Sequence, residues 1–188
     1  MAETSYLSKQ ELLEMGFAQL GENILISRFA RFYARDKISI GNNVRIDDFC
    51  ILSGNIVLHD YIHISAGCYL YGASGIELFS FSGLSPGTKV FSASDDFSGN
   101  YMVGPMVGEA YTNVKGGKVT FMKYVQIGAG SVIFPALTVH EGASVGAMSL
   151  VTRDIPEWQI FAGIPAKFVK TRERKIIDLE KTFTRNNG

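Results

Sequence analysis

Ile40-Gly41-Asn42-Asn43-Val44-Arg45-Ile46-Asp47-Asp48-Phe49-Cys50-Ile51-Leu52 carries a large aliphatic side chain at every sixth residue. The beat continues at Leu58, Ile64, Leu70 and Ile76, and resumes at Phe121, Ile127, Ile133, Val139, Val145 and Val151. A helix repeats about every 3.6 residues and a flat strand every two, so neither singles out each sixth position. A period of six held this long marks a solenoid of stacked hexapeptides. A second ladder stands four residues on from each anchor: Val44, Cys50, Ile56, Ile62, Cys68, Ser74 and Ser80, then Val125, Ser131, Leu137, Ala143, Ser149 and Ile155. Positions i and i+4 share a face in extended chain, so both ladders are expected to point inward. The residues just after the anchors, among them Gly41, Asp47, His59, Tyr71, Gly128 and His140, suit an outward or corner place.

Two interruptions break the pattern. A register slip is expected near 79–86, because the anchor after Ile76 comes at Leu84 and the next at Val90. From 95 to 117 the repeat disappears, first into Asp95-Asp96-Phe97-Ser98-Gly99-Asn100-Tyr101-Met102-Val103-Gly104-Pro105 and then into the residues up to Gly117. A long loop inside a repeat domain is more often functional than incidental, so the active site is expected there.

With these anchors, and with the ending Asp154-Ile155-Pro156 and Ala162-Gly163-Ile164-Pro165-Ala166-Lys167, the chain resembles the hexapeptide-repeat acyltransferases. The resemblance implies an all-β fold, a left-handed parallel β-helix with three hexapeptides per turn, and an exception to the usual right-handed crossover. It also implies homotrimers, an extruded loop reaching over a neighbour, and acyl-CoA, acetyl-CoA in the first instance, in the groove between two prisms. Carried over by position, backbone groups around Gly128, Ala129 and Ala147 would bind the cofactor, and Lys167 or Lys170 would meet a CoA phosphate. The same glycines and alanines would also serve plain corner geometry.

Sugar and antibiotic O-acetyltransferases of this fold carry a histidine just after a segment like Val90-Phe91-Ser92-Ala93-Ser94, where this chain has Asp95-Asp96. A hydroxyl needs a positioned base to attack at neutral pH; a neutral amine does not. Asp95, Asp96 and Glu109 could instead dock a sugar ammonium through charge-assisted hydrogen bonds. The strings Ser94-Asp95-Asp96-Phe97-Ser98-Gly99 and Glu109-Ala110-Tyr111-Thr112-Asn113 resemble the branch that N-acylates nucleotide-linked amino sugars, most of all those acting on dTDP-4-amino-4,6-dideoxyglucose. That resemblance implies a cytoplasmic N-acyltransferase serving surface glycan (O-antigen) synthesis, with Ser94, Asp95, Asp96, Glu109 and Tyr111 at the acceptor and Asp95 and Asp96 as its catalytic pair. The acidic pair also fits a solvated loop or a cap. The alternatives are a sugar O-acetyltransferase working through His59, His63 or His140, a non-catalytic hexapeptide scaffold, and a related solenoid carbonic anhydrase.

Composition narrows these. Lysine plus arginine equals aspartate plus glutamate at 18 each, which leaves no electrostatic footprint for nucleic acid. No apolar run approaches a membrane span, and residues 1–10 lack a signal-peptide core. Three scattered histidines give no metal spacing: His140-Glu141 lacks the second histidine of a helical zinc motif. Gly128-Ala129-Gly130-Ser131 lacks the lysine of a phosphate loop. Cys50 and Cys68, one 18-residue turn apart, read as two small buried hydrophobes in one ladder rather than a disulfide or nucleophile.

The ends close the solenoid. Ser8-Lys9-Gln10-Glu11 reads as a capping box ahead of Leu12, Leu13 and Met15, with Gly16 as the stop. Residues 171–183 place Ile176, Leu179 and Phe183 on one helical face, and 186–188 read as a tail. Trp158 and Phe161 read as caps on the hydrophobic end. One domain of 188 residues is expected: a helical cap over 1–22, the β-helix over 23–166 with its loop 95–117, and a C-terminal helix and tail over 167–188.

Overall fold

In the computed structural model, residues 5–187 are described, and the side chains of residues 5–185. Short parallel strands stack into a left-handed parallel β-helix of about seven turns with three flat faces. The first face is the sheet from Leu25–Ile26 through Arg45–Ile46, His63–Ile64, Gly83–Leu84, Gln126–Ile127, Ser144–Val145 and Gln159–Ala162 to the antiparallel strand Lys167–Thr171. The other two faces share one sheet, because Ile51–Leu58 and Tyr69–Leu78 bend round the corner between them. We call the corner that enters the first face A, the one that leaves it B, and the one between the second and third faces C.

The anchors are the core. Ile46, Ile64, Leu84, Ile127, Val145 and Phe161 stack in register on the first face, and Leu52, Leu70, Val90, Ile133 and Val151 on the second. All are fully buried or nearly so. Each buried Ile or Leu is worth roughly 1.5–3 kcal/mol relative to exposure, and parallel strands cannot gather these contacts except by stacking.

The slip lies one corner earlier than the spacing of anchors predicts. Gly54 pairs with Gly72, but Ile56 pairs with Ile76 and Leu58 with Leu78, so two extra residues are taken up at corner C over 72–75. Ile76 therefore continues the Ile56 column. Leu78, not Ile76, stacks between Leu58 and Phe121. Ser74, expected inside, is exposed on this bulge and Ser80 is half-buried; the other members of the second ladder are buried as expected.

Every turn needs a left-handed residue at its corners. At corner A these are Asn23, Asn43, Tyr61 (φ 58°), Phe81 (φ 61°), Tyr124 (φ 64°), Gly142 and Trp158 (φ 54°). A side chain there is strained, and stacking offsets the strain: Tyr61 lies on Phe81 at 4.7 Å, and Tyr124 follows at 6.1 Å. Trp158 continues this corner column beside Tyr124, while Phe161 joins the core over Val145.

Helix α1 (Lys9–Glu14) has its capping box formed and Leu12 buried, with Gly16 at φ 70° ending it. Helix α2 (Ile176–Asn187) starts later and runs further than expected. Residues 167–171 pair with 159–162 instead of turning helical, and Asn187 is still in the helix, while Gly188 lies outside the described residues. Ile176, Leu179 and Phe183 pack over the aromatic corner, Glu180 bonds Lys123 (2.7 Å) and the Tyr124 hydroxyl, and the Arg172 guanidinium donates to the carbonyls of Tyr124 and Gly142. No helix among the described residues is long and apolar enough to cross a membrane.

Candidate active site

The loop leaves corner C between Val90, stacked on Leu70, and Val119, stacked on Ile76. Its stalk is a two-stranded antiparallel ladder, Ala93–Ser94 against Lys115–Gly116, and a short 3-10 turn covers Glu109–Tyr111. The loop folds back on itself to enclose a cavity of about 430 Å³ lined by Ser94, Asp95, Pro105, Val107, Glu109 and Thr112 among others. Asp95 and Glu109 face this cavity, and their carboxylates take no hydrogen bond or ion pair among the described residues. Ser94 turns its hydroxyl to the Asp95 carbonyl at 3.2 Å.

Asp96, expected beside Asp95 at the acceptor, is employed elsewhere. Its Oδ1 accepts the Ser98 N–H at 2.8 Å, and its Oδ2 accepts from the Asn113 amide at 2.8 Å with Lys115 Nζ at 3.4 Å. Hydrogen bonds from Ser98, with Asn113 and Lys115 behind them, hold its carboxyl well below the usual range, so it stays ionised. It ties the two arms of the loop together and does not line the cavity. Tyr111 is 65 % exposed and does not line it either. Asn113 and Lys115 escaped the sequence reading because nothing in their spacing announces that the loop closes antiparallel.

Gly128, Ala129 and Ala147 lie at corner B, across the prism from the loop. A methyl group on Gly128 would stand 2.4 Å from the Ala147 nitrogen, so glycine is required there for coil-on-coil contact. The left-handed positions of this corner are Phe49, Gly67, Gly87, Gly130 and Met148, so bare backbone is confined to the three glycines and the exposed Met148 side chain lies over Gly130. Lys167 pairs with Ala162 at the top of this same corner, whereas Lys170 pairs with Ile160 in the middle of the first face. One chain therefore does not bring the acidic loop cavity and the small-residue corner together.

None of the three histidines lines the loop cavity. His59 Nε2 bonds Glu77 at 2.8 Å and His63 Nε2 bonds Asp47 at 2.7 Å, while His140 sits beside Glu141 and Asp154 near the top of corner A. Among the described residues no group of three or more His, Cys, Asp or Glu is placed to hold a metal. Cys50 and Cys68 are buried free thiols whose sulfurs bond the carbonyls of Ser65 and Ser85. The Cys50 thiol and burial push Cys68 far above the ordinary thiol range, which makes it inert.

The chain is 43 % identical over 182 residues to the dTDP-4-amino-4,6-dideoxy-D-glucose acyltransferase of Escherichia coli, covering 95 % of each. It belongs to that acyltransferase family. AntD, an N-acyltransferase from Bacillus cereus solved with dTDP and 3-hydroxybutyryl-CoA, superposes with a TM-score of 0.96 at 48 % identity, over 98 % of both chains. A variant of AntD, solved with dTDP-4-amino-4,6-dideoxyglucose and coenzyme A, matches equally well over 97 % of this chain and 98 % of its own. The acetyltransferase domain of PglB from Neisseria gonorrhoeae shares the fold at 22 % identity and a TM-score of 0.60, over 85 % of this chain and 62 % of that one. No protein-family model matches the chain. As an acyltransferase the protein is an enzyme, and residues 94–117 contain no histidine.

Proposed function

We propose that this protein transfers the acyl group of acyl-CoA, acetyl-CoA in the first instance, to the 4-amino group of dTDP-4-amino-4,6-dideoxyglucose. The observation that carries the reading is the pair of unengaged carboxylates, Asp95 and Glu109, in one loop cavity that holds no histidine. Carboxylates hold a sugar ammonium by charge-assisted hydrogen bonds; they also favour its protonated form, so deprotonation limits the rate. The neutral amine attacks the thioester carbon and the C–N bond forms. The C–S bond then breaks, CoA leaves as the thiolate, and the proton shed by nitrogen ends on that sulfur, whose reference thiol pKa is about 8.5. Asp95 is the catalytic residue in the sense of touching the reacting amine; Asp96 keeps the loop in shape; Ser94 and Glu109 complete the acceptor pocket, with Tyr111 left at its margin.

The cofactor would lie along corner B over the backbone of Gly128, Ala129 and Ala147, with Lys167 at the phosphate end; Lys170, further along the strand, fits this less well. Because the loop springs from corner C, a complete site takes corner B from one chain and the Asp95 loop from its neighbour, in a homotrimer. Exposed Phe97, Met102, Met106 and Val114 on the loop are the apolar surface such a neighbour would cover. The buried free thiols suit the reducing cytoplasm, where nucleotide sugars destined for a surface glycan such as O-antigen would be met.

The test is release of CoA thiol from acetyl-CoA with the 4-amino sugar nucleotide, its 4-hydroxy counterpart and no acceptor. Turnover with the amine alone is expected. Turnover with the hydroxyl sugar alone would refute N-acylation.

A further inference from the structure

The two extra residues at 72–75 sit on the coil directly below the base of the loop, at the same corner. They are tied to it. The Ser92 side chain is fully buried, its hydroxyl donating to the Tyr71 carbonyl at 3.0 Å while accepting the Ser74 N–H at 2.8 Å. The Ser92 carbonyl in turn accepts the Gly117 N–H at 2.9 Å, where the loop returns to the solenoid. From above, the Gly117 carbonyl accepts the Ala136 N–H at 3.1 Å.

Contact distances show how tightly the stalk is gripped. A methyl group on Gly116 would stand 2.2 Å from Ser74 Oγ, 3.1 Å from the Ser92 carbonyl oxygen and 3.2 Å from Ser74 Cβ. One on Gly117 would stand 2.4 Å from the Ala136 methyl and 2.9 Å from its Cα. Neither glycine is at positive φ, so closeness and not backbone freedom sets the limit. At Gly117 the Ala136 methyl and Cα leave no room for a side chain, while at Gly116 the exposed Ser74 hydroxyl can turn aside but the stalk must still shift slightly against the Ser92 carbonyl and Ser74 Cβ. Lys118 then lies over Gly75 and bonds Glu77, which also holds His59. Corner C between Leu52 and Ile56 has no bulge and bears no loop, whereas the corner below it, over 33–38, takes two extra residues with no loop on the coil above. The Ser92 and Gly116 contacts, and not a bulge alone, therefore mark the seat.

We propose that Ser74, Ser92, Gly116 and Gly117 form a seat that sets the direction in which the Asp95 loop leaves the solenoid, and that they are positioning residues for acyl transfer. The inference rests on the function proposed above. A loop aimed at a reaction centre outside its own coil multiplies a small tilt at the stalk into a displacement at its tip. Displacements on the order of 1 Å cost a reacting geometry up to roughly 100-fold.

Gly116→Ala tilts the stalk. It should lower kcat with the 4-amino sugar roughly tenfold or more, while the KM for acetyl-CoA stays within about twofold and thermal unfolding is unchanged. Adding Ser74→Gly removes the colliding Cβ and Oγ and should restore most of kcat. Ser92→Ala, which deletes the bridge without adding bulk, should lower kcat with the same KM pattern. An unchanged kcat in Gly116→Ala, a parallel rise in the KM for acetyl-CoA, or no recovery in the double variant would overturn the seat. If the wild type does not turn over the amine, the functional reading fails, and hydrogen exchange at the Gly117 amide decides about the seat. Protection lost in Gly116→Ala and regained in the double variant supports it; protection unaffected by Gly116→Ala overturns it.

Discussion

Asp95 and Asp96 differ in what their oxygens do. Those of Asp95 face a cavity with no partner among the described residues, whereas both oxygens of Asp96 are taken by Ser98, Asn113 and Lys115. Asp95→Asn should therefore lower kcat/KM for the amine on the order of tenfold or more, the worth of a charge-assisted hydrogen bond, with loop protection intact. Asp96→Asn should act the other way round. It places an amide donor against the Asn113 and Lys115 donors, so exchange protection across residues 96–115 falls, and activity falls with it. Steady-state kinetics beside amide exchange separates the two. The sequence marked the pair as important but assigned one role to both, because adjacent carboxylates are chemically alike until a fold gives one of them donors.

Helix α1 shows how a local motif becomes tertiary. The Ser8–Glu11 capping box is readable from four letters, yet Glu11 also receives both guanidinium nitrogens of Arg28, at 2.5 and 2.9 Å. The Arg28 hydrogen bond, then that of Ser8, holds the Glu11 carboxyl down at about 2 from an ordinary 4.5. A depressed acid contributes stability that is complete above the unfolded pKa and lost as pH falls through the folded one. Docking of α1 should therefore weaken between pH 4.5 and about 2. Amide exchange at Leu12, which donates to the Ser8 carbonyl, should report this in the wild type. Glu11→Gln should show weaker protection at pH 7 and no step in that window; a step persisting in the variant would refute the linkage. The slip at 72–75 teaches the opposite lesson. Ile76 falls six residues after Leu70 and so kept the count, although it belongs to a different column; only strand pairing reveals which column a residue joins.

At the scale of the whole molecule, the triangular cross-section separates the parts of the proposed site. Corner B and the loop at corner C belong to one chain but point away from each other, so the assembly proposed above is open to a complementation test. Asp95→Asn spoils the loop, and Ala147→Trp fills corner B, where Ala147 is exposed. Each variant alone should be impaired, Asp95→Asn on the order of tenfold or more, as above. Trimers refolded from a mixture of the two should regain partial activity, because some interfaces then pair an intact loop with an intact corner. No recovery would mean that a single chain holds the whole site.

By itself the sequence determined the solenoid, its inward columns, the capped ends and the place of the loop, because each is written in short-range periodicity or in its interruption. The branch of acyltransferases was legible too, in the resemblance carried by the loop strings 94–99 and 109–113, with the missing histidine arguing against O-acetylation. Tertiary structure alone decided which carboxylates are unengaged, where the extra pair of residues is absorbed, how α2 is clasped at corner A, and which corners hold the two halves of the site. Apart from the local bond from Ser98 to Asp96, those outcomes depend on contacts between residues about one coil or more apart, where a shift of two positions in register changes every neighbour and leaves the local pattern intact.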